Sequence, residues 1–293
     1  MSIDIEHLVF SSGTYKGLVY VGIIEKLIKE KILDLNKIKS IYGCSVGSVV
    51  GFLLALKINP EFIREYLTKF PAKVLFKFRA SQFMELYKKK GIYDVNVFYK
   101  FLSGFFKYCG IKKTITLKEF YNLTNIDFYI YSFNINTCKL VEFSHNTHPD
   151  LKVIEAIYMS STIPFVFRPI YYKSNYYLDG TMGENFPISN CLERVEDHQK
   201  IFGISCDTDK SLKNEISDKD NVLSLIQALF NWVLDISNLK KKHDSNYNII
   251  KIDLPFLNKS IVKKLLLNES NERKYFLDIG EKLASEFISS LAL

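Results

Sequence analysis

The sequence has little with which to cross-link itself. Its five cysteines, at 44, 109, 138, 191 and 206, are odd in number, and no pair has metal-ligand spacing. A disulfide framework is not expected, and a reducing compartment suits this cysteine usage better. The five histidines are scattered, so no zinc site is expected and no metal or other cofactor is assigned. Met1 to Glu6 is acidic and lacks the apolar core of a secretory signal. The longest uncharged stretch, Ser40 to Leu56, has 17 residues and three internal glycines. It falls short of the roughly 20 apolar residues a membrane span needs. These absences predict an intracellular, cytoplasmic protein with at most peripheral membrane contact.

The 293 residues are 47% hydrophobic and 24% charged, which excludes wholesale disorder and fits a packed globular chain. The formal net charge is +7, but it is unevenly spread. Residues 69–113 hold eleven basic and two acidic residues, a local charge of +9, which leaves −2 for everything else. The same segment holds twelve Phe and Tyr residues. Basic residues interleaved with aromatics suit phosphate contact and base stacking, or an anionic lipid surface. They equally suit buried rings beneath solvated lysines. The segment follows directly on the helix of the serine motif described below, which favours a cap beside the site and an anionic membrane surface. No nucleic acid is expected.

Apolar patterning predicts a strand at His7 to Phe10 and a helix over Leu18 to Lys31, then a strand at Ile38 to Tyr42 and a helix over Ser48 to Lys57 ended by Asn59-Pro60. Strand–turn–helix repeated is the pattern of a parallel sheet. Residues 61–120 read as helices. Asp127 to Phe133, Lys139 to Phe143, Tyr171 to Leu178, Ile201 to Cys206 and Ile249 to Leu254 read as strands. Leu151 to Met159, Val222 to Leu239 and Arg273 to Leu291 read as helices, and Asp207 to Asp220 as an exposed loop. The expectation is one domain spanning 1–293, with a motif-bearing core at 7–206, the basic aromatic segment at 69–113 and a helical part at 221–293. Its fold class is a three-layer α/β/α arrangement around a mainly parallel sheet.

Gly43-Cys44-Ser45-Val46-Gly47 matches G-x-S-x-G between an apolar strand and an apolar helix, the setting that motif requires. A serine on so sharp a turn needs glycine two residues to either side, because other backbone passes close there. The helix start beneath it offers N–H groups and positive dipole to developing negative charge. A hydrolase serine also needs a base and an oxyanion hole. The loop Ser12-Gly13-Thr14-Tyr15-Lys16-Gly17 stands at the end of the first strand, where backbone N–H groups are available. Asp179-Gly180 follows another apolar strand.

Together these elements resemble the patatin-like phospholipase family. Leu8 to Leu18 is similar to its oxyanion loop, G-G-G-x-[KR]-G, with Lys16-Gly17 at the basic and final glycine positions. Gly43 to Gly47 resembles its nucleophile elbow. Met159 to Phe165 looks like its A-S-x-A-x-P segment. Asp179-Gly180-Thr181, followed by Asn185-Phe186-Pro187, resembles its D-G-[GA] motif and Asn-Pro tail. The resemblance implies a phospholipase A-type lipid acyl hydrolase, acting on phospholipid or another acyl-ester lipid without a metal. Ser45 would be the nucleophile and Asp179 the general base, with Gly13 and Thr14 lending N–H groups to the oxyanion hole. Ser12 and Thr14 stand where the family has glycine, and a side chain at Thr14 is expected to resist positive φ. Thr181 is expected to crowd the base.

Two other readings compete. An α/β-hydrolase triad would draw its base from His198 or His243, although the elbow comes early for that fold and His198 lies in a charged run. A catalytically weak relative that binds lipid or nucleic acid is the other. Arg168 is a candidate to orient a phosphate, with a surface role as the plainer account.

Overall fold

The computed structural model describes residues 3–76, 82–207, 247–254 and 270–291, together with 225, 228, 229 and 232. The expected helix over Val222 to Leu239 lies largely outside these residues. So do His243 and all but the first residue of the expected loop from Asp207.

The first βαβα unit forms as its patterning requires. Strand β1 (His7–Phe10) leads through a short 3₁₀ turn (Thr14–Lys16) into α1 (Gly17–Lys29), then β2 (Ser40–Cys44) and α2 (Val46–Ala55). Helix α3 (Pro60–Lys69) starts where Pro60 fixes the first turn and the Asn59 side chain accepts the Glu61 N–H. Next come α4 (Ala72–Leu75), α5 (Gln82–Lys89), β3 (Gly91–Tyr93), α6 (Asn96–Phe101), α7 (Ser103–Tyr108) and α8 (Leu117–Thr124). Thr116 and Glu119 close a capping box on α8. The chain continues through β4 (Asp127–Asn134), β5 (Lys139–Phe143), α9 (Val153–Ser160), β6 (Phe165–Phe167), β7 (Tyr171–Tyr172), β8 (Asn175–Asp179) and α10 (Ile188–Leu192). It ends with β9 (Ile201–Asp207), β10 (Asn248–Asp253) and α11 (Ser270–Leu291).

The main sheet has the order β10-β9-β1-β2-β4-β8-β7, and β5 also pairs with β4. Strands β10 through β4 are parallel, as expected, while β5, β7 and β8 add an antiparallel edge. Alternation along the strands splits the core in two. Leu8, Phe10, Ile41, Phe128 and Ile130 face the larger layer, which holds residues of α1, α2, α7, α8, α9 and α11. Val9, Tyr42 and Tyr131 face the other way, against Ile188 and Cys191 of α10. The result is a three-layer α/β/α fold. Helix α11 lies so close along α1 that a Cβ on Gly22 would stand 2.0 Å from the Leu277 carbonyl oxygen.

Two segments differ from expectation. The strand read at Tyr171 to Leu178 is a hairpin, β7–β8, turned at Lys173-Ser174. Within 61–120, β3 interrupts the helices and pairs in parallel with β6. The aromatics of residues 69–113 are mostly part of the protein's own packing. Of the ten with described side chains, eight are buried or half-buried, and only Tyr87 and Tyr108 are exposed. The described lysines of the segment all face outward.

Candidate active site

Ser45 joins β2 to α2 with φ 53° and ψ −125°, a conformation that side chains rarely adopt and that costs about 1–3 kcal/mol. The flanking glycines permit it. A Cβ on Gly47 would stand 2.5 Å from the carbonyl oxygens of both Phe10 and Ser11, and one on Gly43 would stand 2.7 Å from Ser48 Cα. Ser160, at the end of α9, pins the turn. Its hydroxyl accepts the Ser45 N–H at 2.9 Å and donates to the Tyr131 carbonyl at 2.5 Å.

The register of β4 decides what meets Ser45. Strand β2 pairs with the first part of β4, ending with Cys44 opposite Tyr131. Strand β5 occupies the other edge of β4 from Ile130 to Asn134. Strand β8 therefore enters antiparallel along the edge that β2 has vacated, and its last residue, Asp179, falls opposite Ser132. The two strands meet end to end, and Ser45 Oγ donates to Asp179 Oδ2 at 2.7 Å. Gly180 makes the junction possible, since a Cβ there would be 2.3 Å from the Tyr131 carbonyl oxygen.

Asp179 is only 1% exposed. Burial pushes its carboxyl from 3.8 up to about 6, against the opposing pull of hydrogen bonds from Thr181 and Ser45. Thr181 gives Oδ1 both its N–H, at 3.0 Å, and its hydroxyl. The crowding expected of Thr181 is therefore replaced by a contact that leaves Oδ2 to the serine. The Asp179 N–H donates to the Thr162 carbonyl at 2.9 Å. Ser160, Thr162 and Thr181 all lie in stretches legible as motifs, but their bonds needed the register to be seen.

The loop after β1 packs against the elbow through Gly17, where a Cβ would be 2.3 Å from Val46 Cγ2. Thr14 takes φ 47° despite its branched side chain, contrary to expectation. The 3₁₀ turn that fixes it is closed by the Lys16 N–H donating to Gly13 O at 2.9 Å, with the Lys16 side chain buried. Among the described residues the N–H groups of Gly13 and Thr14 donate to no protein acceptor. A polar network that sequence reading missed supports this loop. The Tyr20 hydroxyl contacts the Ser12 carbonyl at 2.8 Å, the Ser11 carbonyl at 3.1 Å and Cys206 Sγ at 2.9 Å. Ser12 Oγ donates to Asn185 Oδ1, and the Ser12 N–H to the Asn185 carbonyl at 3.0 Å. The unexpected serine in the loop is thus a tether to the Asn-Pro tail.

Other candidates stand elsewhere. His198 sits in a 3₁₀ turn just before β9, at the N-terminal end of the parallel strands, whereas Ser45 follows the C-terminal end of β2. A sheet's depth separates them. Arg168 donates from Nε to the Gly91 carbonyl at 3.1 Å and faces Asp94 at 3.7 Å, so it clamps β3 to the chain after β6. Among the described residues no group of three or more His, Cys, Asp and Glu could hold a metal ion. No described helix is long and apolar enough to cross a membrane.

The model of the patatin-like phospholipase family matches residues 8–192, from β1 through α10. The chain belongs to that family. This patatin-like chain is 29% identical over 279 residues to the "Probable lipid hydrolase 463L" of Invertebrate iridescent virus 6, covering 95% of this chain and 87% of that protein. It is 24% identical over 280 residues to the uncharacterized protein R571 of Acanthamoeba polyphaga mimivirus, covering 95% and 89%. Its patatin-like fold is similar to the crystal structure of VipD from Legionella pneumophila, with a TM-score of 0.58 at 15% identity over 98% of this chain and 67% of that one.

Proposed function

We propose that the protein is a serine lipid acyl hydrolase, cleaving phospholipid or other acyl-ester lipid through a Ser45–Asp179 dyad. The observation that carries this reading is the 2.7 Å bond from Ser45 Oγ to a buried carboxylate, on a strained turn at the start of a helix. Family membership and a relative named as a probable lipid hydrolase support the substrate class.

A free aspartate is a weak base toward a hydroxyl. Desolvation raises its proton affinity, so Asp179 at about 6 is a better base and stays ionised at neutral pH. Ser45 Oγ attacks the ester carbonyl carbon while its proton passes to Asp179 Oδ2. The carbonyl oxygen becomes an oxyanion facing the N–H groups of Gly13 and Thr14, each donor contributing about 2.7–4 kcal/mol to the transition state. Collapse returns the proton to the leaving alkoxide and leaves an acyl-serine. Water, deprotonated by the same carboxylate, then releases the fatty acid.

The test is labelling with a fluorophosphonate probe. Wild type is expected to label, Ser45→Ala not at all, and Asp179→Asn at a small fraction of the wild-type rate. A folded wild type that stays unlabelled overturns the enzyme reading, and a labelled Ser45→Ala protein overturns the assigned nucleophile.

A further inference from the structure

A lipid hydrolase has to bring its serine to a bilayer, so the surface around the site matters. Four large apolar side chains are exposed on one rim: Tyr87 at 89%, Tyr171 at 61%, Phe165 at 49% and Ile135 at 44%. Ile135, Phe165 and Tyr171 are linked through their neighbours, and Tyr87 stands four residues before Gly91 in the chain. Gly91 pairs with Phe165, so the backbone of Lys90 adjoins that strand. Lys90 Nζ lies 5.0 Å above the Tyr176 ring, and Tyr176 meets Tyr171 at 4.9 Å between centroids. The Ile135 N–H donates to the Tyr176 carbonyl at 3.1 Å. Tyr87 precedes the exposed run Lys88, Lys89 and Lys90 at the end of α5. Lys173, at the tip of the β7–β8 hairpin, lies 5.5 Å from the Tyr172 ring centre.

This rim borders the site. Phe165 lies three residues beyond Thr162, which accepts the Asp179 N–H, and Tyr176 lies three residues before Asp179 on β8. The backbone presents these side chains at a cost. Phe165, Lys90, Lys173 and Ser174 all have positive φ, at 66°, 62°, 45° and 63°. Lys173-Ser174 makes a two-residue turn with both φ values positive, normally the place of Asn-Gly. A phenylalanine held outward in the left-handed region is strained twice, by its backbone and by its wet ring. Asp94, just after β3, faces Arg168 at 3.7 Å.

The geometry points to this rim as the face that seats on an anionic bilayer, with Phe165, Tyr171, Ile135 and Tyr87 entering the interface and Lys88, Lys89, Lys90 and Lys173 meeting headgroup phosphates. The assignment rests on the lipid-hydrolase reading and moves the contact from the inward-facing aromatics of 69–113 to side chains that are outside. The test uses Ser45→Ala protein, which leaves the lipid intact, in sedimentation with phosphatidylcholine vesicles with and without about one-third phosphatidylserine. Binding is expected only with phosphatidylserine, about tenfold or more weaker in Phe165→Ser/Tyr171→Ser and in Lys90→Glu/Lys173→Glu. With Ser45 restored, both rim variants are expected to hydrolyse a soluble short-chain ester like wild type and vesicle lipid at least tenfold more slowly. Equal vesicle binding by all variants, or equal binding to neutral vesicles, overturns the assignment. Rim-dependent binding by a protein that cleaves no ester upholds the face and overturns the hydrolase reading instead.

Discussion

Thr181→Val keeps the shape of the side chain and removes one hydroxyl. That hydroxyl and the Thr181 amide donate to Asp179 Oδ1, while Ser45 donates to Oδ2. All three bonds favour the ionised carboxylate and oppose burial, which alone would push it above the value of about 6. A hydrogen bond to a charged group contributes about 1.5–3 kcal/mol. One pKa unit corresponds to about 1.4 kcal/mol, so the substitution should raise the carboxyl by about one to two units. The proposed base acts when unprotonated. Wild-type kcat/KM should therefore fall tenfold per unit of pH below about 6. In Thr181→Val the break should move to about pH 7–8, with about 5–50-fold less activity at pH 6, where the wild type is itself half ionised, and a retained alkaline plateau. Initial rates on a soluble short-chain ester across this range give the answer without any membrane. A break that does not move, or a wild-type break near the ordinary 3.8, would refute the assignment of Asp179 as a desolvated base.

Three further outcomes follow from other contacts. The Asp179 carboxyl has a folded value above its unfolded one, so its contribution to stability is full below 3.8 and is lost as pH rises through about 6. Ionising it costs the fold about 3 kcal/mol at neutral pH, and Asp179→Asn should melt higher than wild type at pH 8 but not at pH 4, while losing activity; equal melting at pH 8 would count against it. Tyr20→Phe removes the hydroxyl on the Ser11 and Ser12 carbonyls and should lower kcat by about 10–100-fold with KM within about twofold, because a loosened loop misplaces its N–H donors; an unchanged kcat would refute the positioning role. Alanine at His198 should leave fluorophosphonate labelling at the wild-type rate, since that ring meets the Leu192 carbonyl, 3.3 Å away, at the far end of the sheet.

Much of the fold was legible because local signals agreed. β1 and β5 fall on their expected residues, and β2, β4, β9 and β10 within two. The serine turn was readable for the same reason: strand, Gly-x-Ser-x-Gly and helix are contiguous in the chain. The β7–β8 hairpin was not, because its turn is Lys173-Ser174, where asparagine and glycine give the usual sign. Strand β3 was hidden because a three-residue strand pairing only with β6 has no periodicity to show. At Thr14 and Thr181 the structure differs from the expected strain and crowding. Positive φ at Thr14 is held by a closed 3₁₀ turn, and Thr181 serves as a donor; both depend on partners that sequence spacing does not reveal. Sequence left the aromatics of 69–113 suited equally to a surface or a core, and most of the described rings turn inward, as in the Phe98–Tyr158 and Phe70–Phe101 pairs at 5.2 and 5.1 Å.

The end-to-end meeting of β2 and β8 on one edge of β4 has a consequence for how the protein is made. Ser45 and Asp179 lie 134 residues apart in sequence and are brought together by neighbouring positions on a strand between them. Contacts of such separation close late in folding, after local helices and the first crossover have formed. On the ribosome the serine turn can form long before the carboxylate exists. The serine turn therefore has no carboxylate partner, and the proposed dyad is incomplete, until β8 docks. Gly180 lies so close beneath the Tyr131 carbonyl that a side chain there is expected to keep β8 from docking and to leave the proposed dyad unassembled.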